Sequence, residues 1–267
     1  MKKMNKKIGF IGCGNMGGAI IGAVVKKNIA KSGMIFVYDK NEAQADKIKK
    51  EFKVNKANSY DDFAETDILF LCVKPNVLYD VIDEIKNIIK DDCIVVSIAA
   101  GQSISKIEKR FEKPLKVVRV MPNTPALVLE GMSAVSVNEN AKDSTKEVME
   151  ILEGIGKAEI VSEKLMDAVT GISGSSPAYV FMFIEAMADA GVLHGMSRDM
   201  AYTFASQAVL GSAKMVLETG KNPAELKDMV CSPSGTTIEA VKVLEDKGFR
   251  GAVIEAIDAC VKKSQNM

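Results

Sequence analysis

The chain has 267 residues, enough for one large domain or two ordinary ones, and 47% of them are apolar, enough for a substantial core. Lysine plus arginine and aspartate plus glutamate both number 35, so no basic surplus points to nucleic acid or an anionic membrane. The five cysteines form no Cys-x-x-Cys pair, and the one histidine excludes a zinc site built on a histidine pair. We therefore expect a reduced, cytoplasmic protein without a metal site.

Short apolar runs alternate with helix-like stretches over the first part of the chain. The runs that predict buried strands are 7–11, 34–39, 68–73, 94–98 and 117–121. The stretches that predict crossover helices are 15–29, 42–52, 77–90 and 103–111. This alternation is typical of an α/β domain, a parallel sheet with helices on both faces. Weaker strands at 133–138 and 158–161 are predicted on either side of a helix near 143–155.

From Lys164 onward the strand signal fades and helical spacing takes over. We predict a first domain at residues 1–162 and an all-helical second domain at 163–267. In the second, Pro177–Leu193 is apolar nearly all round, and only Glu185 and Asp189 interrupt it. Its length would suit a membrane span, but the two acids argue against one. Such a helix must be buried on every side, so we expect a second subunit to cover it in a two-fold dimer.

A glycine-rich turn follows the first predicted strand and opens a helix. Gly12 allows the tight turn, Gly14 lets the backbone approach a diphosphate, and Gly17 lets the helix pack on the strand. An acid, Asp39, closes the second strand in the expected register. The first domain is therefore predicted to be a Rossmann-type dinucleotide-binding domain.

The residues after the second strand bear on the choice of cofactor. Asp39 would accept hydrogen bonds from the adenosine ribose and repel a 2′-phosphate, whereas Lys40 would attract that phosphate. Both NADPH and NADH stay open as cofactors, and Asp39 favours NADH.

Three further strand ends share the rim where ligands bind in such a sheet. They are Val73–Pro75, Ser97–Gly101 and Arg119–Pro125. The predicted cofactor contacts are Gly12, Gly14, Asn15, Met16, Gly17, Asp39, Lys40, Val73, Lys74, Pro75, Ala99, Ala100, Met121 and Asn123.

A second candidate site lies far along the chain, at 231–237, where Cys-Ser-Pro-Ser-Gly-Thr-Thr runs into a helix-like stretch. Thr236 and Glu239 have the spacing of an N-cap hydroxyl and its partner carboxylate. The Ser-Pro-Ser-Gly segment before them predicts a stiff turn with little side-chain cover. Such a turn would leave free N–H groups at a helix start, where a carboxylate can bind. Helix stability alone is the alternative explanation of this pattern.

Taken together, these segments resemble the pyrroline-5-carboxylate reductases over almost the whole chain. The segments that carry the resemblance are Phe10–Gly17, Val73–Pro75, Ser97–Gly101, Arg119–Ala126, Ser173–Tyr179, Ser232–Thr237 and Leu244–Arg250. The resemblance implies a Rossmann-type domain followed by an all-helical dimerisation domain, and NAD(P)H-dependent reduction of a cyclic imine carboxylate to proline. Ser176 and Ser234 stand where glycine is usual in the family, which matters where φ is positive.

The resemblance also implies roles for individual residues. Backbone amides at 235–237 would hold the substrate carboxylate, and the Thr237 hydroxyl would bond near the ring nitrogen. Thr237 and Lys74 are the predicted catalytic residues. The predicted substrate contacts are Ser173, Ser175, Gly235, Thr236, Thr237 and Asn123. The expected assembly is a homodimer that can associate further, with no nucleic-acid or membrane partner.

Three other functions compete with this interpretation. A β-hydroxyacid-type dehydrogenase would place a catalytic lysine on the first long helix of the second domain, and residues 175–195 contain none. A dinucleotide-binding regulator would bind the cofactor without turnover, which leaves the 231–237 segment unexplained. Reduction of a six-membered homologue of the ring is the third alternative.

Overall fold

The structure is a computed structural model that describes residues 3–266. Packing divides these residues into two compact units. The first contains the described residues up to Gly174 together with those from Val261 onward, and the second is Ser175–Cys260. The predicted boundary after residue 162 divides the sequence by element type, whereas by packing residues 163–174 belong with the first unit.

The first unit is built on an eight-stranded sheet with the order β3-β2-β1-β4-β5-β6-β7-β8. Its strands are β1 (Ile8–Ile11), β2 (Ile35–Tyr38), β3 (Asn55–Lys56), β4 (Ile68–Leu71), β5 (Ile94–Ser97), β6 (Lys116–Met121), β7 (Gly131–Val137) and β8 (Gly156–Ile160). Its helices are α1 (Asn15–Lys26), α2 (Glu42–Phe52), α3 (Leu78–Ile85), α4 (Ile104–Phe111), α5 (Thr145–Glu153) and α6 (Met166–Val169). The second unit holds α7 (Ser176–Leu193), α8 (Arg198–Thr219), α9 (Pro223–Val230), α10 (Thr236–Asp246) and most of α11 (Phe249–Gln265).

The five main predicted strands are all present, as β1, β2, β4, β5 and β6. Every residue of β1, β4 and β5 is buried, and a fully buried strand has an unbroken apolar sequence, which is why these three were easy to recognise. Successive side chains point to opposite faces, so Phe10 joins the core on one face of the sheet and Ile11 the core on the other. Both faces are covered by helices, as the alternation predicts.

Two features of the sheet depart from the prediction. β7 pairs antiparallel to β6, whereas the other pairs are parallel. The connection from β6 to β7 contains only a short 3₁₀ turn at Thr124–Val128, too little for the crossover that a parallel return needs. The sequence prediction also missed β3, because two residues are too few to show a pattern.

The second unit encloses almost no core of its own. Within residues 175–260 the fully buried apolar side chains are the small ones of Ala188, Ala201 and Ala205. The large side chains of Phe181 and Phe204 are 62% and 65% exposed. The prediction that this chain alone cannot bury α7 therefore agrees with the exposed surface.

Within the described part of the chain, residues 163–193 are long and apolar enough to cross a membrane, by length and composition alone. A helix that is buried in the assembly of a soluble protein has the same length and composition. The stretch includes Glu185 and Asp189, and α7 ends before the exposed His194.

Replacing Phe70 by alanine is expected to destabilise the first unit. Phe70 is fully buried, pairs in register with Phe10 on the neighbouring strand, and stacks on that ring at 4.9 Å between centroids. The cavity should cost about 3–5 kcal/mol of unfolding free energy. Thermal unfolding at one fixed protein concentration measures this, with the 55% exposed Leu127→Ala as control. Equal melting temperatures for the two variants would contradict the packing described.

Candidate active site

The glycine-rich turn packs directly against the neighbouring strand end. Gly12 has φ of 99°, and a Cβ there would collide with the backbone carbonyl of Cys72. A Cβ on Gly17 would collide with the carbonyl of Gly12. The turn and the first turn of α1 therefore lie closer to the sheet than any residue with a side chain permits, which is the geometry expected of a dinucleotide-binding turn.

The start of α1 offers room for a diphosphate. Gly14 is the N-cap residue, no side chain caps the helix, and a Cβ on Gly14 would meet no atom within 4 Å. The N–H groups at this helix start therefore have no side-chain cap, and such groups favour negative charge. The residues present fit the diphosphate of NADPH or NADH.

The peptide of Cys13 within this turn is held from both sides. Asp39 accepts a hydrogen bond from the Cys13 N–H at 2.7 Å and a second from the Asn41 N–H at 2.8 Å. Gln44 on α2 donates to the Cys13 carbonyl at 2.6 Å. Asp39 thus supports the turn itself, in addition to any contact with a ribose. Sequence reasoning missed Gln44, because its spacing from the turn carries no recognisable pattern.

The thiols beside the turn are shielded from reaction. Burial, reinforced by the negative charge of Asp39, raises the pKa of Cys13 to about 12. Burial also raises the pKa of Cys72. Both side chains therefore stay protonated at neutral pH and serve as small packing groups at the cofactor end of the sheet.

A cleft of about 340 Å³ opens at the carboxyl ends of β1, β2 and β4. It brings together six of the predicted cofactor contacts: Gly12, Gly14, Asp39, Lys40, Val73 and Lys74. Tyr38, Tyr60 and Val77 also line it and were not predicted. The rings of Tyr38 and Tyr60 pack at 4.7 Å between centroids, and together they offer an aromatic wall for a flat base.

The remaining predicted cofactor contacts lie on the first unit outside the residues lining this cleft. Asn15 lines a separate groove between α1 and α2. Ala99 is buried after β5, and Met121 is the last residue of β6. The others are Met16 and Gly17 on α1, Pro75 in the turn before α3, Ala100 beside Gly101, and Asn123.

Asn123 is buried, and the backbone takes up both ends of its amide. Its Nδ2 donates to the Ser173 carbonyl at 3.0 Å, and its Oδ1 accepts from the Met132 N–H at 2.8 Å. Within the same unit, the Ser173 hydroxyl donates to the Val169 carbonyl at 3.1 Å.

In the second unit, the 232–235 segment forms a tight turn. The Gly235 N–H donates to the Ser232 carbonyl at 3.0 Å, and Ser234 has φ of 55°. Proline second and a positive φ third are the signature of a type II turn. A Cβ on Gly235 would meet the Ser232 hydroxyl, so a larger residue in the last position of the turn would require that hydroxyl to rotate away.

The predicted pairing of Thr236 with Glu239 is wrong. Gly235 is the N-cap of α10 and Thr236 is its first helical residue, so Glu239 lies one position too far for the reciprocal bonds. Because no side chain caps this helix start, its N–H groups are available to a ligand. Thr236 is exposed and Thr237 is half-buried. Ser175, also in this unit, accepts a hydrogen bond from the Cys260 thiol at 3.3 Å.

Comparison with known proteins identifies the chain's relatives. The family model described as pyrroline-5-carboxylate reductase dimerisation matches residues 163–267, and the one described as NADP oxidoreductase coenzyme F420-dependent matches residues 7–101. The chain is 51% identical over 266 residues to the pyrroline-5-carboxylate reductase of Escherichia coli (strain K12), covering 99% of each.

Solved structures agree. A pyrroline-5-carboxylate reductase from Coxiella burnetii superposes with a TM-score of 0.93 at 32% identity, covering 98% of each chain. The pyrroline carboxylate reductase of Plasmodium falciparum, solved with NADP bound, superposes with a TM-score of 0.89 at 35% identity, covering 99% of each chain. The chain belongs to the pyrroline-5-carboxylate reductase family.

The two departures from the usual family motif have different consequences in this reductase. Ser176 is the first residue of α7 and is not among the described residues with positive φ, so serine costs nothing there. Ser234 does adopt positive φ, where a residue with a Cβ pays about 1–2 kcal/mol.

The backbone of Ser234 generates a testable prediction. Ser234→Gly should leave the free energy of unfolding unchanged or raise it by up to about 1.5 kcal/mol, because relief of strain matches or exceeds the larger entropy of the unfolded chain. Ser234→Val should lower the melting temperature, because a β-branched residue is strongly disfavoured at positive φ. Thermal unfolding measures both, with the exposed Ser162→Val as control, since Ser162 has φ of −61°. A valine variant as stable as that control would show that the turn does not require positive φ.

Proposed function

We propose that the chain reduces 1-pyrroline-5-carboxylate to L-proline, the last step of proline biosynthesis, with NADPH or NADH as the reductant. The observation that carries the proposal is the full-length membership in the reductase family, over both the nucleotide-binding and the helical parts. In the reaction, the C=N carbon of the ring gains a hydride and the ring nitrogen carries a proton, so the imine becomes the secondary amine of proline.

The first unit supplies the cofactor site of this proposal. NADPH or NADH, when bound, supplies the hydride. The uncapped start of α1 holds the diphosphate, and the Tyr38–Tyr60 wall flanks the adenine end of the cleft. Lys74, exposed at the mouth of the cleft, is proposed as a catalytic residue that contributes positive charge at the cofactor end of the sheet.

The balance between the two cofactors depends on the end of β2. The Asp39 carboxylate would repel a 2′-phosphate, while exposed Lys40 would attract one. A neighbouring cleft that both residues line also contains Lys56, but its ammonium already bonds to Asp46 at 2.8 Å. We propose NADH as the preferred reductant.

The second unit supplies the seat for the substrate carboxylate. The Gly235 N–H closes the turn at 232–235 by donating to the Ser232 carbonyl, so the uncapped N–H groups of Thr236 and Thr237 are the ones that can donate to the carboxylate oxygens. Ser175 and Ser173, from the motif before α7, are proposed as further substrate contacts.

The reaction requires little from the side chains beyond orienting the imine relative to the hydride donor. A protonated imine carbon is already electrophilic, so neither a strong acid nor a metal is required. The Thr237 hydroxyl bonds near the ring nitrogen and fixes the ring face that receives the hydride. Holding donor and acceptor at about 3–3.5 Å supplies most of the acceleration.

The helical unit is the dimerisation domain of the enzyme, and its exposed apolar side chains are the surface that a second copy covers. We propose in addition that the homodimers can assemble further, that the enzyme acts in the cytoplasm, and that it uses no nucleic-acid or membrane partner.

The activity is tested by following the loss of reduced nicotinamide absorbance with pyrroline-5-carboxylate, in parallel with NADH and NADPH. Imine-dependent oxidation with both is expected, and faster with NADH because of Asp39. Preference for NADPH would show that Lys40 governs the choice. Cofactor binding without oxidation would favour a regulator, and turnover only with the six-membered imine would change the assigned ring.

Thr237→Ala is expected to lower kcat/KM for the imine by about 10- to 100-fold, since a hydrogen bond to a charged group is lost. Thr237→Ser keeps the hydroxyl and should retain most of the activity. Steady-state kinetics at saturating cofactor measure both variants. Equal kcat/KM for alanine and wild type would remove Thr237 from the mechanism.

A further inference from the structure

The buried amide of Asn123 has only one possible orientation. Its Nδ2 faces a carbonyl, Ser173 O, which only accepts, and its Oδ1 faces an N–H, that of Met132, which only donates. In the flipped amide, Oδ1 would face the Ser173 carbonyl, acceptor against acceptor, and Nδ2 would face the Met132 N–H, donor against donor. The side chain is 9% exposed, so water cannot replace either partner at low cost.

The Ser173 carbonyl needs a donor from outside its own helix. In a regular α-helix this carbonyl would accept from the N–H four residues later, but that residue is Pro177, which has none. The backbone at Thr170–Gly174 is widened into a π-helical turn, a local form that recurs at functional sites. Asn123 supplies the donor that the sequence removes.

The same segment packs closely on the end of β6. A Cβ on Gly174 would lie 2.6 Å from the methyl carbon of Met121, so the backbone leaves no room for a side chain unless Met121 moves. The Ser173 hydroxyl bonds back to the Val169 carbonyl. Within the first unit, the hydrogen bond from Asn123 therefore holds Ser173 at the strand end, and the Met121 side chain occupies the space beside Gly174.

We propose that Asn123 is a positioning residue. It fixes the Ser173 carbonyl and thereby the direction in which the backbone enters the Ser175 motif, and it touches neither the imine nor the cofactor. The proposal rests on the proposed function, since it gives the 173–175 segment its role in holding substrate. It replaces the direct contacts predicted for Asn123 from the sequence.

The chain offers a second buried asparagine as a control, Asn138, which follows β7 and bonds to the beginning of β6. Asn138 is also 9% exposed, accepts from the N–H groups of Val117 and Ala141, and donates at 2.7 Å both to the Leu115 carbonyl and to the Glu108 carboxylate. Asn123→Asp and Asn138→Asp both keep the backbone acceptor and lose the amide donor. Only Asn123→Asp removes the donor to the Ser173 carbonyl.

Three measurements on the full-length enzyme test the proposal: hydrogen–deuterium exchange of peptides covering 166–180, the dissociation constant of NADPH and NADH, and the KM for the imine. For Asn123→Asp we expect about tenfold faster exchange, about tenfold higher KM for the imine, and cofactor dissociation constants within about twofold of wild type. For Asn138→Asp we expect the exchange of 166–180 and the KM for the imine to match wild type.

Two results would overturn the proposal. Unchanged exchange in 166–180 would show that Asn123 does not hold this segment, and a tenfold weaker cofactor with unchanged KM for the imine would make Asn123 a direct cofactor contact. Exchange and cofactor binding need no turnover, so they decide the role of Asn123 even if wild type fails to reduce the imine. Should Asn123→Asp not fold, Asn123→Ser, too short to reach both partners, carries the same measurements.

Discussion

The approach of the glycine-rich turn to the end of β4 is the constraint on which the nucleotide-binding half depends. Gly12 and Gly17 leave no space for a Cβ against Cys72 and against the turn itself. Because the turn packs this closely on the sheet, α1 begins at the rim of the sheet, and no side chain caps its first N–H groups. The Asp39 carboxylate then reaches the Cys13 N–H, and the cleft between the strand ends stays open above it.

The helical half obeys the opposite constraint, since its apolar surface exceeds what the chain can bury. α7 and α8 pack against each other through small residues, with a Cβ on Gly191 lying 3.1 Å from that of Ala201. Large side chains such as Phe181 and Phe204 stay on the outside. A unit of this kind buries little apolar surface by itself, so a second copy that covered this surface would couple its folding to its dimerisation.

The sequence predicted the elements whose pattern comes from burial, and it failed where a single residue or a connection decides. Continuous apolar runs identified β1, β4 and β5, but the direction of β7 follows from the short turn at 124–128. The helix start at 231–237 was correctly recognised, yet its N-cap was assigned one residue too late, because Gly235 and Thr236 are both good caps. Whether Ser234 would be strained depended on a φ angle that no residue pattern reports.

The side chains around the cofactor end show why predicted ligand contacts and structural supports look alike in a sequence. Asp39 and Asn123 both follow strands at the rim, where ligands bind, and both use their polar atoms on backbone groups, Asp39 in the glycine-rich turn and Asn123 in the π-helical turn and on β7. Hydride transfer depends steeply on the distance between donor and acceptor, and loops are the most mobile part of a sheet rim. A polar residue that immobilises such a loop therefore contributes to the reaction without touching a reactant. It occupies the same rim position, and is of the same residue type, as one that binds the ligand directly.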